Sequence, residues 1–254
     1  MQLLPIKTGL LHPGDSLTEA LLRSTRLQEA DIIIVSSKAV ATAENTLIDL
    51  RSITPSPTAL EWAAKTGRSP PFCEAVLAET KRLNGKVISH CPGALLTEVL
   101  PEGLSRGSII TANAGLDESN APVGCAIGWP TNPPMSARSL RTALEAHTDG
   151  SIAVIISDSR CSPRRLGVTA FALAASGIDP FADQAGKEDL YGRKLHITTE
   201  AISDQLATAG NFLMGNAAQA TPAVIIRDHG LQMSKFEGWV EGIDAGVDLF
   251  RGIL

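Results

Sequence analysis

Three short, unbroken apolar runs constrain this chain more than any other feature. They are Asp31-Ile32-Ile33-Ile34-Val35, Ser151-Ile152-Ala153-Val154-Ile155-Ile156 and Pro222-Ala223-Val224-Ile225-Ile226-Arg227. Each is rich in β-branched residues and bounded by polar ones, which is the pattern of a buried strand. None approaches the ~20 residues of a membrane span. Leu3 to Ile6, Lys86 to His90 and Leu195 to Thr199 read as further strands.

Helical spacing fills much of the remainder. A helix from Leu17 to about Thr25 is capped by Asp15 or Ser16, and Ser56 caps a second that starts at Pro57 and stops near Gly67. Others run from Phe72 to Arg82, from Ala137 to His147 behind a Ser136 cap, and from Glu200 to Met214 before Gly215. Phe236 to Phe250 reads as a last amphipathic helix, and Gly167 to Ser176 fits strand or helix. Strands and helices are interspersed without strict alternation. That predicts an α+β fold with mixed or antiparallel sheets and packed helices, as a single domain over residues 1–254.

Composition removes several function classes. The net charge of −5 with no basic run argues against a nucleic-acid face. Cys73, Cys91, Cys125 and Cys161 form no Cys-x-x-Cys pair, so free thiols in a cytoplasmic protein are expected rather than a zinc ribbon or a redox motif. The N-terminus is too quickly polar for a signal peptide.

The chemistry gathers at two acidic stretches. Thr111 to Asn120 follows an apolar strand end and presents Asn113, Asp117, Glu118, Ser119 and Asn120, oxygen donors suited to a hard divalent cation completed by phosphate. Taken alone, the stretch favours a plain polar turn with Asx-type caps. The strand ending at Ile156 delivers Ser157-Asp158-Ser159-Arg160 and then Arg164 and Arg165, which suit phosphate or carboxylate oxygens unless they form only a solvated basic loop. Ser36-Ser37-Lys38 lies just past another strand and can grip phosphate, or is an ordinary polar turn, since the chain lacks a Gly-rich P-loop. Two acidic corners together favour a shared metal–phosphate site, with Asp117 and Asp158 converging on one ion.

The chain resembles the coenzyme F-420 family of γ-glutamyl ligases over nearly its whole length. The resemblance rests on Pro5-Ile6-Lys7 with Pro13-Gly14-Asp15, Ser36-Ser37-Lys38 with Ala43-Glu44, and Asn113-Ala114-Gly115-Leu116-Asp117-Glu118-Ser119-Asn120. It continues through Asp158-Ser159, Gly167, Asp189-Leu190-Tyr191-Gly192-Arg193 and Leu213-Met214-Gly215. It implies two closely associated lobes and an intertwined homodimer. It also implies a GTP-dependent ligase that adds L-glutamate to a cofactor-precursor carboxylate through an acyl phosphate. The ions implied are Mg²⁺ or Mn²⁺, with K⁺ as a further candidate.

By the same resemblance Asp117, Asp158, Ser159 and Asn216 are metal ligands, and Asp117 and Asp158 carry the catalysis. Gly9, Leu10, Leu11, Ser37, Lys38, Thr42 and Asn120 meet the nucleotide, as does the run Met214, Gly215, Asn216, Ala217, Ala218, Gln219, Ala220, Thr221. Three departures fall at the site: Thr42 where lysine is common, Asn216 where glutamate or glutamine is usual, and Cys161-Ser162-Pro163 where Gly-Arg is frequent. The first two predict weak binding of nucleotide and metal. Other readings are a ligase for another acceptor such as a folate, a catalytically weak relative that binds a nucleotide or metabolite, and a metal-dependent phosphate hydrolase.

Overall fold

The computed structural model describes residues 1–252. In chain order the first elements are β1 (Gln2–Ile6), α1 (Leu17–Ser24), β2 (Ile32–Ser36), α2 (Ser37–Ala43), β3 (Ile48–Asp49), α3 (Pro57–Thr66) and α4 (Pro70–Arg82). Then come β4 (Lys86–Cys91), β5 (Ala94–Val99), β6 (Ile109–Ala112), β7 (Cys125–Ala126), α5 (Pro133–Glu145), β8 (Ala153–Cys161) and β9 (Val168–Ser176). The last are β10 (Ala182–Asp183), β11 (Thr199–Glu200), α6 (Ile202–Met214), β12 (Ala223–Arg227) and β13 (Glu237–Trp239).

The three apolar runs lie side by side in one six-stranded sheet of order β1-β12-β2-β8-β9-β13. β2 and β8 pair in parallel, with Ile33 opposite Val154, and the other neighbours are antiparallel, so the sheet is mixed. Alternate side chains of an unbroken apolar strand need cover on both faces. Ile33, Val35, Val154, Ile156 and Ile225 pack with Leu17 and Leu21 of α1 and Leu140 and Leu144 of α5. Ile32, Ile34, Ile155, Val224 and Ile226 pack with Leu206, Ala207 and Met214 of α6. Helix α6 approaches closely at Gly210, where any Cβ would lie 2.8 Å from the Ile34 side chain.

A second, smaller antiparallel sheet, β4-β5-β6, meets the main core through Val99 and Ile109 and carries a third apolar cluster built on Phe72, Val76, Leu95 and Leu116. The fold is therefore mixed α+β, as expected.

Several local expectations fail, each for an identifiable reason. Ser136 does not cap α5. Asn132 does, its side chain accepting from Met135 N at 3.1 Å, and Pro133 and Pro134 occupy the first turn, where their missing donors cost nothing. Ser37-Lys38 is not a turn but the start of α2. Gly167 to Ser176 resolves as strand β9. Leu195 to Thr199 is not a strand; only Thr199–Glu200 pairs, with Ala182–Asp183.

The helix expected over Phe236 to Phe250 is absent. Glu237–Trp239 adds an edge strand against β9, and turns follow. Gly238, Gly242 and Gly246 recur every fourth residue, each costing about 1 kcal/mol in a helix, and outweigh the helical spacing of the apolar residues.

One polar contact belongs to the scaffold. Asp31 is fully buried and receives two Arg227 guanidinium bonds, at 2.8 and 2.7 Å, and Gln28 N at 2.8 Å.

Candidate functional site

The site forms where the larger sheet meets the smaller one. Strand β6 ends in a turn of three consecutive left-handed residues, Asn113, Ala114 and Gly115. Asn113 tolerates that conformation and its Oδ1 accepts from Leu95 N at 2.9 Å. Ala114 carries a real conformational cost, of about 1–3 kcal/mol. It is held there by complete burial and by donation of its N–H to Thr97 Oγ1 at 3.0 Å. Gly115 must lack a side chain, because a Cβ would sit 2.5 Å from the Trp129 ring.

This strained turn aims Asp117. Its backbone exchanges two 2.8 Å hydrogen bonds with Ile127, which fixes the carboxylate's origin. The carboxylate accepts from Lys38 Nζ, from Ser119 Oγ, and from Ser119 N at 3.0 Å. Lys38 Nζ also reaches Ser119 Oγ at 3.0 Å. Burial disfavours the charge on Asp117, but the Lys38 and Ser119 hydrogen bonds overcome it and hold the carboxyl down at about 2.

Asp158 arrives from the other sheet. It lies inside β8 rather than at its end, as the sequence reading had it, because β8 continues to Cys161. A register irregularity between Ile156 and Ser157 ends the run of fully buried apolar residues just before it. Trp129 Nε1 donates to Asp158 Oδ2 at 2.6 Å. One segment, 127–129, therefore anchors Asp117 through its backbone and Asp158 through an indole. Burial pushes the Asp158 carboxyl upward, against the Trp129 and Ser159 hydrogen bonds and the Lys38 charge. Ser37 Oγ is near enough to favour the ionised form, although it makes no hydrogen bond of standard geometry.

Two adjoining cavities share Lys38, Asp117, Asp158 and Ser159. The smaller, ≈ 260 Å³, adds polar groups including Ser119, Asn120, Asn211 and Asn216, and Val168 borders both cavities. Met214 and Gly215 also border the smaller one. The larger, ≈ 900 Å³, adds Arg68, Arg160, Leu96, Ile110 and Phe250 among others.

The structure thus brings Lys38, Asp117, Asn120, Asp158, Ser159, Met214, Gly215 and Asn216 together. Gly9, Leu10, Leu11, Ser37, Thr42, Ala217, Ala218, Gln219, Ala220 and Thr221 line neither cavity. Some of these are neighbours nonetheless. Thr8 N bonds to Ala220 O at 3.2 Å and Gly14 N to Thr42 O at 3.1 Å, so the loop carrying Gly9 to Leu11 runs beside both. Thr42 spends its hydroxyl on the Lys38 carbonyl at 2.8 Å. Gln219 folds back, its Oε1 accepting from Ala217 N at 2.8 Å. Arg164 and Arg165 are exposed and line neither cavity. The cations that do are Lys38, Arg68 and Arg160.

Sequence reading missed Trp129, Asn211 and Arg68. Trp129 gave a signal, a tryptophan bordering a Pro-rich turn. Asn211 gave only a polar residue within a largely apolar helix. Arg68 gave none; its guanidinium stacks 4.1 Å above Phe72 and donates to Glu118 Oε2 at 2.8 Å.

Among the described residues no group of three or more His, Cys, Asp or Glu side chains is placed to hold a metal ion by itself. The donor set still fits Mg²⁺. That ion is usually held by one or two carboxylates, with waters and substrate phosphates completing the shell. Asp117 and Asp158 with neighbouring hydroxyl and amide oxygens are such a set, and Asp117 already draws a cation, the Lys38 ammonium.

A sequence profile of the family described as F420-0:Gamma-glutamyl ligase matches residues 5–228. A coenzyme F420:L-glutamate ligase of Methanopyrus kandleri is 41% identical over 228 residues, 90% of this chain and 86% of its own length. The proteins of that name from Methanosarcina mazei and Methanothermobacter thermautotrophicus are 37% and 36% identical, over 87% and 89% of this chain and 83% and 86% of theirs. No described helix is long and apolar enough to cross a membrane. On this match over most of its length, the chain belongs to the F420-0:γ-glutamyl ligase family.

Proposed function

We propose that the chain joins L-glutamate through an amide bond to the carboxylate of F420-0, driven by GTP. The observation that carries this reading is the meeting of Asp117, Asp158 and Lys38 at one polar cavity in a chain of this family. The acceptor carboxylate oxygen attacks the γ-phosphorus of GTP, the bond to the β-phosphate oxygen breaks, and GDP leaves. The glutamate amine then attacks the acyl phosphate carbon, inorganic phosphate leaves, and the amine gives up a proton. Asp117 orients Lys38, whose ammonium neutralises phosphoryl charge. Trp129 holds Asp158, and Asn211 and Asn216 offer amide groups to the phosphates. Asp117, Asp158, Ser159 and Asn216 would hold Mg²⁺ or Mn²⁺. When bound, such an ion supplies positive charge against the phosphoryl oxygens. The test is phosphate release from GTP that requires both glutamate and F420-0; release without glutamate contradicts the reading.

Thr42 and Asn216 set the expected binding strength. A charge-assisted contact to a phosphate is worth about 1.5–3 kcal/mol, so Thr42→Lys is expected to lower KM for GTP about ten-fold. Asn216→Glu is expected to lower the Mg²⁺ concentration giving half-maximal rate. Steady-state titrations check both, and unchanged values mean that these two positions do not face nucleotide and metal.

A homodimer belongs to the same reading. Leu166, Leu190, Tyr191, Ile197, Phe212 and Leu249 are largely exposed, and an interface of this kind would cover such side chains. The expected interface buries more than ~2,000 Å² in total. Light scattering at micromolar concentration should give twice the chain mass of 26.7 kDa, and a monomer contradicts the dimer.

A further inference from the structure

The larger cavity has a wall from outside the span that the family profile matches. That span ends at residue 228, whereas Gly242, Ile243, Ala245, Asp248 and Phe250 all line the cavity. After β13 the chain runs as a strap past the loop joining β5 to β6. It is fastened there by several independent contacts. Trp239 Nε1 donates to Glu102 O at 3.0 Å, Ser105 Oγ to Glu241, and Gly242 N to Arg106 O at 3.1 Å. Arg106 and Asp244 form an ion pair at 3.4 Å. The two backbones touch at a glycine pair: a Cβ on Gly107 would lie 2.7–2.8 Å from Gly242 backbone atoms, and Gly107 has a φ of +74°. The strap is thus a seated element.

Its side chains are left open on the cavity side. Ile243 is 51% and Phe250 40% exposed, yet both line a concavity of ≈ 900 Å³, enough to enclose a molecule of several rings. Leu96 and Ile110 add apolar lining from β5 and β6. Glu98 and Asp248 line this cavity along with Arg68 and Arg160, but the arginines are already paired with Glu118 and Asp204, which leaves little uncompensated positive charge for a polyphosphate. The smaller cavity, with its amides and hydroxyls, suits phosphates better.

We propose that residues 240–252 form the acceptor-selecting wall of the active site. Ile243 and Phe250 pack against the ring system of an acceptor whose carboxylate reaches Lys38 and Asp117. This rests on the reading that the chain extends an acceptor carboxylate with glutamate. The strap would then set which ring-bearing acid is accepted, while the nucleotide end of the site is independent of it.

The test uses Phe250→Ala, Ile243→Ala and the double variant, whose half-exposed positions leave the core intact. KM is measured for F420-0 and for GTP, and binding of F420-0 alone is followed by fluorescence titration. The double variant should raise KM and Kd for F420-0 about ten-fold and leave KM for GTP within about two-fold. Unchanged acceptor values with normal turnover overturn the strap and spare the ligase reading, and so does a rise confined to KM for GTP. A chain that binds F420-0 through the strap but never ligates it overturns the ligase reading and supports the strap. A chain that neither binds nor ligates F420-0 overturns both.

Discussion

Asp117→Asn is expected to lower glutamate-dependent GTP turnover by on the order of 10²–10³-fold while leaving the protein folded. Asparagine keeps the size of the side chain and an oxygen for the Ser119 N–H, so the turn that follows β6 should survive. What disappears is the negative charge that Lys38 and Ser119 hold ionised far below neutral pH. Lys38 then loses its partner and its fixed position, and any cation at the site loses its most anionic ligand. The Asp117 side chain is 41% exposed, so its ion pair contributes little to stability and the loss should fall on activity. Single-turnover phosphate release checks the first half and thermal melting the second. Turnover within about three-fold of the parent would remove Asp117 from the chemistry.

Arg227→Ala is expected to destabilise the fold strongly, by about 3–5 kcal/mol. Asp31 has no exposed surface, and Arg227 supplies two of the hydrogen bonds that its carboxylate accepts. Removing the guanidinium strands a carboxylate between the end of β12 and the start of β2, two central strands of the larger sheet. The double change Asp31→Leu with Arg227→Met should recover most of the loss, since apolar replacements of a buried pair are often neutral or better. Urea denaturation of the parent and of these two variants measures this. A loss below about 1 kcal/mol for Arg227→Ala would mean that water reaches Asp31 when the arginine is gone.

The central sheet was legible because its strands are uninterrupted. Ile32 to Val35, Ile152 to Ile156 and Val224 to Ile226 have no alternative to burial, and their alternation across two faces follows from that alone. The C-terminal region was misread for a related reason. Phe236, Val240, Ile243, Val247 and Phe250 have helical spacing, but part of the stretch is an edge strand and the rest a strap: Phe236 and Val240 pack on the α6 side of the sheet, Ile243 and Phe250 line a cavity, and Val247 is exposed. Here the apolar spacing marked neither a helix nor a single shared surface, because the glycines between these residues let the chain turn.

In the site, Asp117 and Asp158 were visible as oxygen-rich stretches, and the structure brings them to the same two cavities. Their common anchor was not visible. Ile127 and Trp129 hold the two carboxylates through a backbone pair and an indole N–H; Ile127 gave no sign of this, and the tryptophan beside a Pro-rich turn did not say which carboxylate it meets. Gly115 carried half of that information: it is glycine because the Trp129 ring occupies the space of its Cβ.

The most direct measurement is mass spectrometry of F420-0 incubated with the protein, GTP, Mg²⁺ and L-glutamate. The expected product is heavier by a whole number of glutamyl residues, forms only with glutamate and GTP both present, and is lost in Asp117→Asn. Unmodified F420-0 under conditions where the protein binds it, or GTP hydrolysis that proceeds equally without glutamate, would contradict the assignment.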